Sequence, residues 1–484
     1  MPRSNNSRPI ERPWYAGFLE RVAMKSLRER DIKNLIHFHT NMARHEQIGP
    51  MIIVRGDGIR IIDDSGNSYI DTVSGLWSAS LGFSNQRLAD AAHRQFLQLP
   101  FYHAFNHKSH PKAIELSERL IQIAPVPMAR VLFQSSGSEA IETACKLVWQ
   151  YFIGKGMPKK IKIFSRWGSY HGATVAAAAL SGQHETHQSF NLPLERFRHA
   201  NSPNFIRMGR PTENEAAFAS RMAEELETQI LREGPESCAA MVIDPVQISA
   251  GVILPPATYH EKIQAVLKRH GMLLIADEVA TGFGRTGAMW GSEIYGIRPD
   301  MLVCAKALTA SYMPLSALLI SDAVYDVLRA RTVGGDVFAH GFTHGTHPVA
   351  IAVALEALDI YDEMGLVQHV KALGAEFQSR FAQLGMHSLV RDISGIGLAA
   401  GFGIAPDATA VARLGSAREV TRAIENSAKR EGLVVRAMGD RIAMAPPFIT
   451  TSGDLDEIFR RFLRSLDAVA QNVEPVSGIS RHLS

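Results

Sequence analysis

Apolar residues along this chain fall into two alternating rhythms. Short runs that are apolar at nearly every position recur at RVLFQ (130–134), IKIFS (161–165), AAMVIDPV (239–246), MLLIADEV (272–279) and MLVCA (301–305). Longer stretches with helical spacing separate them. A strand that is apolar on both sides of its pleat is one covered by helices on both faces, so the pattern predicts a mostly parallel sheet in an α/β fold. Upstream, IIVRGDGIRIIDDSGNSYID places polar residues Asp64 to Asn67 between two β-rich runs, which is a hairpin signal. Downstream, a long helix is expected to begin near His347 and Pro348. Helices near 366–385, 416–431 and 453–470 bracket the strand-like LVVRA and RIAMA, the pattern of a smaller α+β domain.

These elements divide the chain into four parts. Residues 1–75 form an N-terminal segment of arm, helix and hairpin that contributes to the small domain, and 76–345 form the large domain. Residues 346–473 make the C-terminal small domain, and 474–484 read as a loose tail. The length of 484 residues agrees, being about three times the usual domain size of roughly 150. Hydrophobic residues at 46% and charged residues at 20% set aside disorder, collagen and coiled coil.

Charge changes the picture by its position. The 51 Lys and Arg less 48 Asp and Glu leave +3, yet residues 1–30 hold seven basic and three acidic residues, or +4. The remainder is therefore close to −1, which argues against a nucleic-acid face and for a small neutral or anionic substrate. Cys145, Cys238 and Cys304 are far apart and form no CxxC pair, so neither a disulfide framework nor a structural zinc site is expected. No window approaches the roughly 18 uninterrupted apolar residues of a membrane helix, and the first residues lack an apolar signal core. A cytoplasmic protein with no membrane partner is the expectation.

Candidate chemistry lies at the strand ends. SSGSEA (135–140) follows a buried strand and opens an amphipathic helix, where Ser hydroxyls and free helix N-terminal amides suit a phosphate. Asp277 closes the strand in LLIADEVATGFGRTG. Gly282, Gly284 and Gly287 there form a G-x-G-x-x-G. A dinucleotide site needs its acidic residue about 20 positions after the glycines, whereas Asp277 and Glu278 precede them, so that reading is set aside. Lys306 follows an apolar strand and has no carboxylate after it until Asp322. An amine in apolar surroundings loses solvation for its charged form and becomes a usable nucleophile. His103, His107 and His110 share an H-x3-H-x2-H spacing with His340, His344 and His347. Both sets sit among turn residues without an acidic ligand, so loop structure is favoured over metal and no metal is expected.

With these residues stand further segments: SGLW (74–77), FYHAFNHKSHP (101–111), RWGSYHG (166–172), DPVQ (244–247), AKALTASYMPLSA (305–317), HGFTHGTHP (340–348) and VVRAMGDRIAMAPP (434–447). In this order they resemble the class III (ω-type) pyridoxal-phosphate aminotransferases, most closely the amine:pyruvate branch, from about Gly58 to Ile449. The resemblance implies a fold-type I enzyme that moves an amino group from a primary amine or ω-amino acid to a 2-oxo acid, with pyruvate the expected acceptor. By that resemblance Lys306 forms the internal Schiff base and shuttles the proton, and Asp277 keeps the cofactor's pyridinium nitrogen protonated. Tyr170 stacks on one ring face with Val279 behind the other, His171 flanks, and Gln247 lies near the ring hydroxyl. Gly137 and Ser138 bind the phosphate together with Thr343 of a second subunit, since the family's site lies at a homodimer interface. Trp77, Tyr102 and Arg436 occupy substrate-pocket positions, the Arg pairing with a carboxylate and swinging aside for an amine without one.

Three departures mark this chain. Asp244 replaces the usual Glu, His344 and Gly345 alter the loop beside Thr343, and Ser249 stands where members using an Arg-pairing scheme often carry Glu. The last favours an amine or long-chain donor over ornithine or γ-aminobutyrate. A glutamate-1-semialdehyde-type aminomutase and a non-catalytic relative are the alternative readings. The basic arm is expected to pack across the partner subunit.

Overall fold

A computed structural model of the chain describes residues 26–471. The expectations for most of the basic arm and for the tail at 474–484 lie outside the described residues. Two compact units are present, one of residues 26–56 with 61–68, the other of 57–60 with 69–471. In the first, Ser26 and Asn41 cap the short helices Leu27–Asn34 and Met42–Ile48. The Asp31 carboxylate accepts from His37 Nε2 at 2.8 Å and from His45 Nε2 at 3.2 Å. The expected turn at 64–67 is made by Asp63, whose side chain accepts from the amides of Ser65 and Asn67 at 3.0 and 2.9 Å. The β-rich run before it is broken into Ile53–Asp57 and Arg60–Asp63.

The second unit is built on a seven-stranded sheet, whose strands are numbered here within it. In chain order they are β1 (Arg130–Gln134), β2 (Lys162–Arg166), β3 (Phe197–Ala200), β4 (Cys238–Ile243), β5 (Leu273–Asp277), β6 (Met301–Cys304) and β7 (Ser316–Ile320). The spatial order is β1-β7-β6-β5-β4-β2-β3. Only β7 runs against its neighbours, pairing antiparallel with both β1 and β6. Strands β4 to β7 are buried at every position, which is why their sequences show no period of two. The five runs singled out by apolarity are all strands. Strand β3 (FRHA) escapes that reading because it is short and half polar, and β7 (SALLI) because it is joined to the Lys306 segment without a break in apolar character.

Helices Pro348–Glu363, Leu366–Gln383, Ala417–Arg430 and Ser452–Ala470 lie close to their expected bounds. The first is buried almost all round, and the last hides Leu455, Ile458, Phe459, Phe462 and Leu466 along one face. They accompany an antiparallel sheet in the order Val390–Ile396, Ala399–Ile404, Arg441–Met444, Arg436–Met438. The run LVVRA, which reads as one strand, is divided. Leu433 and Val434 pair in parallel with Ile70 and Asp71, whereas Arg436 pairs with Ala443. The chain thus changes sheets at Val435, immediately before Arg436.

Candidate active site

The parallel strands end along one edge of the sheet, where α/β proteins build their sites. At that edge β2 delivers Arg166 and the segment up to His171, β4 delivers Asp244, β5 delivers Asp277, and Lys306 follows β6. The alternation of side chains along β5 separates two adjacent carboxylates. Asp277 faces the site, whereas Glu278 is fully buried and receives the amides of Gly291 and Ser292 at 3.0 and 2.6 Å. Gly282, Gly284 and Gly287 belong to this turn region, where no helix begins. A side chain at Gly284 would strike Leu366. The glycines therefore serve the turn and its packing, as the order of residues predicted.

Asp277 has both oxygens engaged. Oδ1 accepts from the Val279 amide at 3.0 Å, and Oδ2 lies 2.7 Å from His171 Nδ1. Because a carboxylate only accepts, the imidazole proton is on Nδ1 when the ring is neutral. His171 Nε2 is then an acceptor, buried and without a partner among the described residues.

Lys306 begins a 3₁₀ turn with φ at +50°. The surrounding protein strips water from its ammonium and lowers the pKa from 10.5 to about 8; Asp277 opposes the shift, and Arg436 and Arg285 add to it. Arg436 is half-buried, and burial lowers its pKa, against the pull of Glu425 and Tyr170. No hydrogen bond or ion pair of its guanidinium is found among the described residues. Tyr170, 38% exposed, has its phenol pKa raised by burial, while Arg436 acts to lower it. Four residues read separately from sequence, Lys306, Asp277, Tyr170 and Arg436, are thus in one electrostatic neighbourhood although they span 267 positions (436 less 170, counted inclusively).

At the start of helix Gly137–Gly154 the capping box is complete. Ser136 Oγ accepts from the Glu139 amide, and Glu139 accepts from the amides of Ser135 and Ser136 at 2.7 and 3.1 Å. The amides of Gly137 and Ser138 have no partner among the described residues and remain available. That arrangement fits a bound phosphate, because the helix dipole and two free N–H groups point at one place. The backbone at Gly137 lies against Val279, since an added Cβ would stand 3.2 Å from its Cγ2. Ser138 Oγ accepts from the Ala173 amide at 3.0 Å, leaving its own proton free to donate.

Asp244 anchors a buried network. Its Oδ1 accepts from Arg166 at 2.6 Å and from Ser169 Oγ at 2.7 Å. Burial alone would raise its pKa, yet Arg166, His171 and Ser169 together hold it below the ordinary value. The shorter side chain at this position is therefore fully accommodated. Gln247 donates to Ser169 Oγ at 2.8 Å and to the Trp167 carbonyl at 3.0 Å, and accepts from Ser202 at 2.6 Å. Its amide is thus committed to protein partners and ties the Trp167–Ser169 backbone in place.

Three predicted residues stand apart. Trp77 is 6% exposed, has φ of +62°, and packs with Val246, Val252, Ala443 and Ala445. Tyr102 is stacked on His103 at 5.0 Å, in a loop whose Phe101 and Phe105 pack on His344 and Gly341. Thr343, in that second loop, is exposed. Neither Tyr102 nor Thr343 has a hydrogen bond or ring contact to Lys306, Asp277 or Tyr170 among the described residues. The two histidine sets are loop elements: His110 caps helix Pro111–Gln122 and reaches the Thr346 carbonyl at 2.8 Å, and His340 meets Thr143 at 3.0 Å.

Residues 41–466 match the family model for class-III aminotransferases. The chain belongs to that family. It is 40% identical over 428 residues to gamma aminobutyrate transaminase 1, mitochondrial, of Solanum lycopersicum, covering 88% of this chain and 83% of the relative. It is also 40% identical to vanillin aminotransferase of Capsicum frutescens, covering 88% and 93%. A thermostable omega transaminase mutant from Pseudomonas jessenii superposes with a TM-score of 0.91 at 45% identity, over 93% of this chain and all of that one. The omega transaminase of that organism solved in complex with PMP gives 0.90 at the same identity, over 92% and 99%. This aminotransferase accordingly has the fold-type I architecture, and its cofactor is pyridoxal 5′-phosphate. Sequence reasoning missed Arg166 and Ser169, which hold Asp244 and Gln247. The available signal was their place at the C-terminal end of β2.

Proposed function

We propose that this aminotransferase takes an amino group from a primary amine or ω-amino acid and passes it to pyruvate. The observation that carries the reading is the joint placement of Lys306, Asp277 and Arg436: a lysine of lowered basicity beside a buried carboxylate, with a guanidinium that feels Glu425 at a distance but makes no hydrogen bond or ion pair among the described residues. When bound, the cofactor supplies an electron sink for the charge left by deprotonating the substrate. Asp277, fixed by Val279 and His171, would keep a proton on the pyridine nitrogen. The free amides of Gly137 and Ser138 would hold the cofactor's phosphate, and Val279 and Tyr170 would flank its ring. Lys306, whose pKa lies near 8, takes a proton and returns it close to neutral pH, the range in which general acid–base catalysis is most effective.

Arg436 fits the carboxylate of the acceptor. Replacing it with Ala is expected to lower kcat/KM for pyruvate roughly 10- to 100-fold, the worth of a charge-assisted hydrogen bond of about 1.5–3 kcal/mol. Turnover of a donor without a carboxylate should change by less than about threefold on the same reasoning. Equal losses for both substrates would show that Arg436 does not read the carboxylate.

The plant relatives' names place γ-aminobutyrate and vanillin-derived amines among the compounds to test, against the direction suggested by Ser249. Incubating the holoenzyme with each amine and pyruvate and measuring alanine tests donor and acceptor together. No alanine from any donor, with product formed from another 2-oxo acid, would remove the pyruvate assignment.

The active unit proposed is a homodimer in the cytoplasm. Phe101, Tyr102, Phe105 and Phe338 are all partly exposed on the single chain, an aromatic surface that association would cover. Thr343 would then reach the phosphate site of the second subunit. Sedimentation of a monomer that retains full activity would refute this. In the phosphate cradle, Gly172→Ala is expected to raise the Kd for pyridoxal 5′-phosphate at least about tenfold. An added Cβ would come within 2.6 Å of Ser138 Oγ and 2.8 Å of Ser138 Cα, at a φ of +135° that disfavours side chains. Unchanged cofactor affinity would show that Ser138 is not part of the cradle.

A further inference from the structure

Lys306 sits in backbone that its own residue type disfavours. Its φ is +50°, and Ala310 and Ser311 further on have φ of +47° and +64°. Non-glycine residues hold such angles only where surrounding structure fixes them. The turn's own amides supply part of this, Leu308 donating to Ala305 and Ala310 to Ala307 at 3.0 and 3.1 Å. Another restraint comes from far along the chain. Tyr361, on helix Pro348–Glu363, donates its hydroxyl to the Ala307 carbonyl at 2.7 Å.

The direction of the proton chain is set by donor arithmetic. The Ala307 carbonyl can only accept, so it uses the single Tyr361 proton. The Ser80 hydroxyl, 2.7 Å from Tyr361 Oη, must then be the donor to it. Ser80, Tyr361 and Ala307 are all buried, Tyr361 at 1% exposure, so water offers no substitute. Phe448 packs near the Tyr361 ring, with the Arg285 guanidinium 4.5 Å above it and donating to the carbonyls of Leu398 and Pro446. Tyr361 is therefore held rigidly on a core helix, and through one hydrogen bond it holds the residue next to Lys306.

We propose that Tyr361 is a positioning residue for Lys306: its hydroxyl, oriented by Ser80, fixes the left-handed turn that aims the lysine amine into the site. The proposal rests on Lys306 being the lysine that joins the cofactor. The charged and titratable groups acting on that amine are Asp277, Arg436 and Arg285; none of them is replaced in the test, and Arg285 is the one that also feels Tyr361.

Tyr361→Phe keeps the ring and its packing and deletes only the hydroxyl. In the holoenzyme, kcat is expected to fall roughly five- to tenfold, on the scale of one buried hydrogen bond, with KM for donor and acceptor within about twofold. The visible absorbance of the bound cofactor, titrated with pH, is expected to move its midpoint by about half a unit or more, because the lysine nitrogen joined to the cofactor no longer sits at the same distance from Asp277 and the two arginines. Ser80→Ala should give a smaller change in the same direction, since Tyr361 can still donate. A variant that loses only melting temperature, with the midpoint where it was, overturns the proposal and leaves Tyr361 as a packing residue. Should Tyr361→Phe not accumulate as folded protein, Ser80→Ala carries the test, and an unmoved midpoint there overturns it. Failure of the underlying reading shows differently: Lys306→Ala would then retain the visible band, whatever Tyr361→Phe does.

Discussion

Replacing Lys306 with Ala is expected to abolish transamination, lowering kcat by roughly 10⁴-fold or more, since both the nucleophile and the proton carrier are lost. The purified variant should also lack the visible band near ~410 nm that a lysine-linked cofactor gives. The lysine's surroundings are the physical reason. It follows a strand buried at every position, protein displaces the water its charge needs, and Arg285 and Arg436 add repulsion; Asp277 recovers part of this. Persistence of band and activity in the variant would sink the assignment.

The same lysine makes a prediction about stability without cofactor. Its pKa is near 8 in the folded chain against an ordinary 10.5. Between these values the unfolded chain binds a proton that the folded chain has released, so folding stability rises with pH across that window. Below it the lysine's charge costs stability in full. Lys306→Ala should therefore melt higher than the cofactor-free parent at neutral pH, with the gap closing as pH approaches 10.5. A gap independent of pH would show that Lys306 is not desolvated as described.

Asp277→Asn is the second large effect, expected to cut kcat roughly 10²- to 10³-fold, the cost of removing one preorganised electrostatic partner. Asn has the same shape and can still accept from the Val279 amide. What it lacks is negative charge, and a neutral amide cannot hold a proton on the ring nitrogen. His171 sharpens the expectation, because its Nδ1–H is aimed at Oδ2. An Asn that keeps its oxygen on the Val279 amide presents its NH₂ to His171 Nδ1, which can accept it only after the imidazole proton moves to Nε2, so the substitution either loses a contact or forces the other tautomer. Cofactor binding through Gly137 and Ser138 is separate and should persist. A variant with near-parental turnover would show that Asp277 does not set the ring's charge.

The fold is legible where burial is uniform along a strand. Strands β1, β2, β4, β5 and β6 announce themselves as continuous apolar runs because helices cover both faces of the sheet. Strand β3 carries no such signal: four residues with Arg198 and His199 at its centre look like loop. The run LVVRA reads as one element because its two halves are apolar for different reasons, one pairing with Ile70 and Asp71 and the other with Ala443. Trp77 shows the limit for the site. Its motif marks it as a pocket residue, yet a buried indole packed with Val246, Val252 and Ala443 owes its position to chain segments more than 160 residues away.

By itself the sequence determined the alternating α/β plan and the family, and it put forward Lys306, Asp277 and the Gly137–Ser138 helix start as candidates for the site. Each of these is a local property, set by neighbours in sequence: a buried strand, the residue just past its end, and a cap. The tertiary structure alone decided which distant groups act on them. It brought His171 to Asp277, Arg166 and Ser169 to Asp244, Arg436 to the neighbourhood of Tyr170, and the Tyr361 hydroxyl to the carbonyl beside Lys306. The first three of those pairings cross between 75 and 266 positions of chain. They depend on sheet order and on the return of helix Pro348–Glu363 across the core, and no periodicity in the sequence encodes either one.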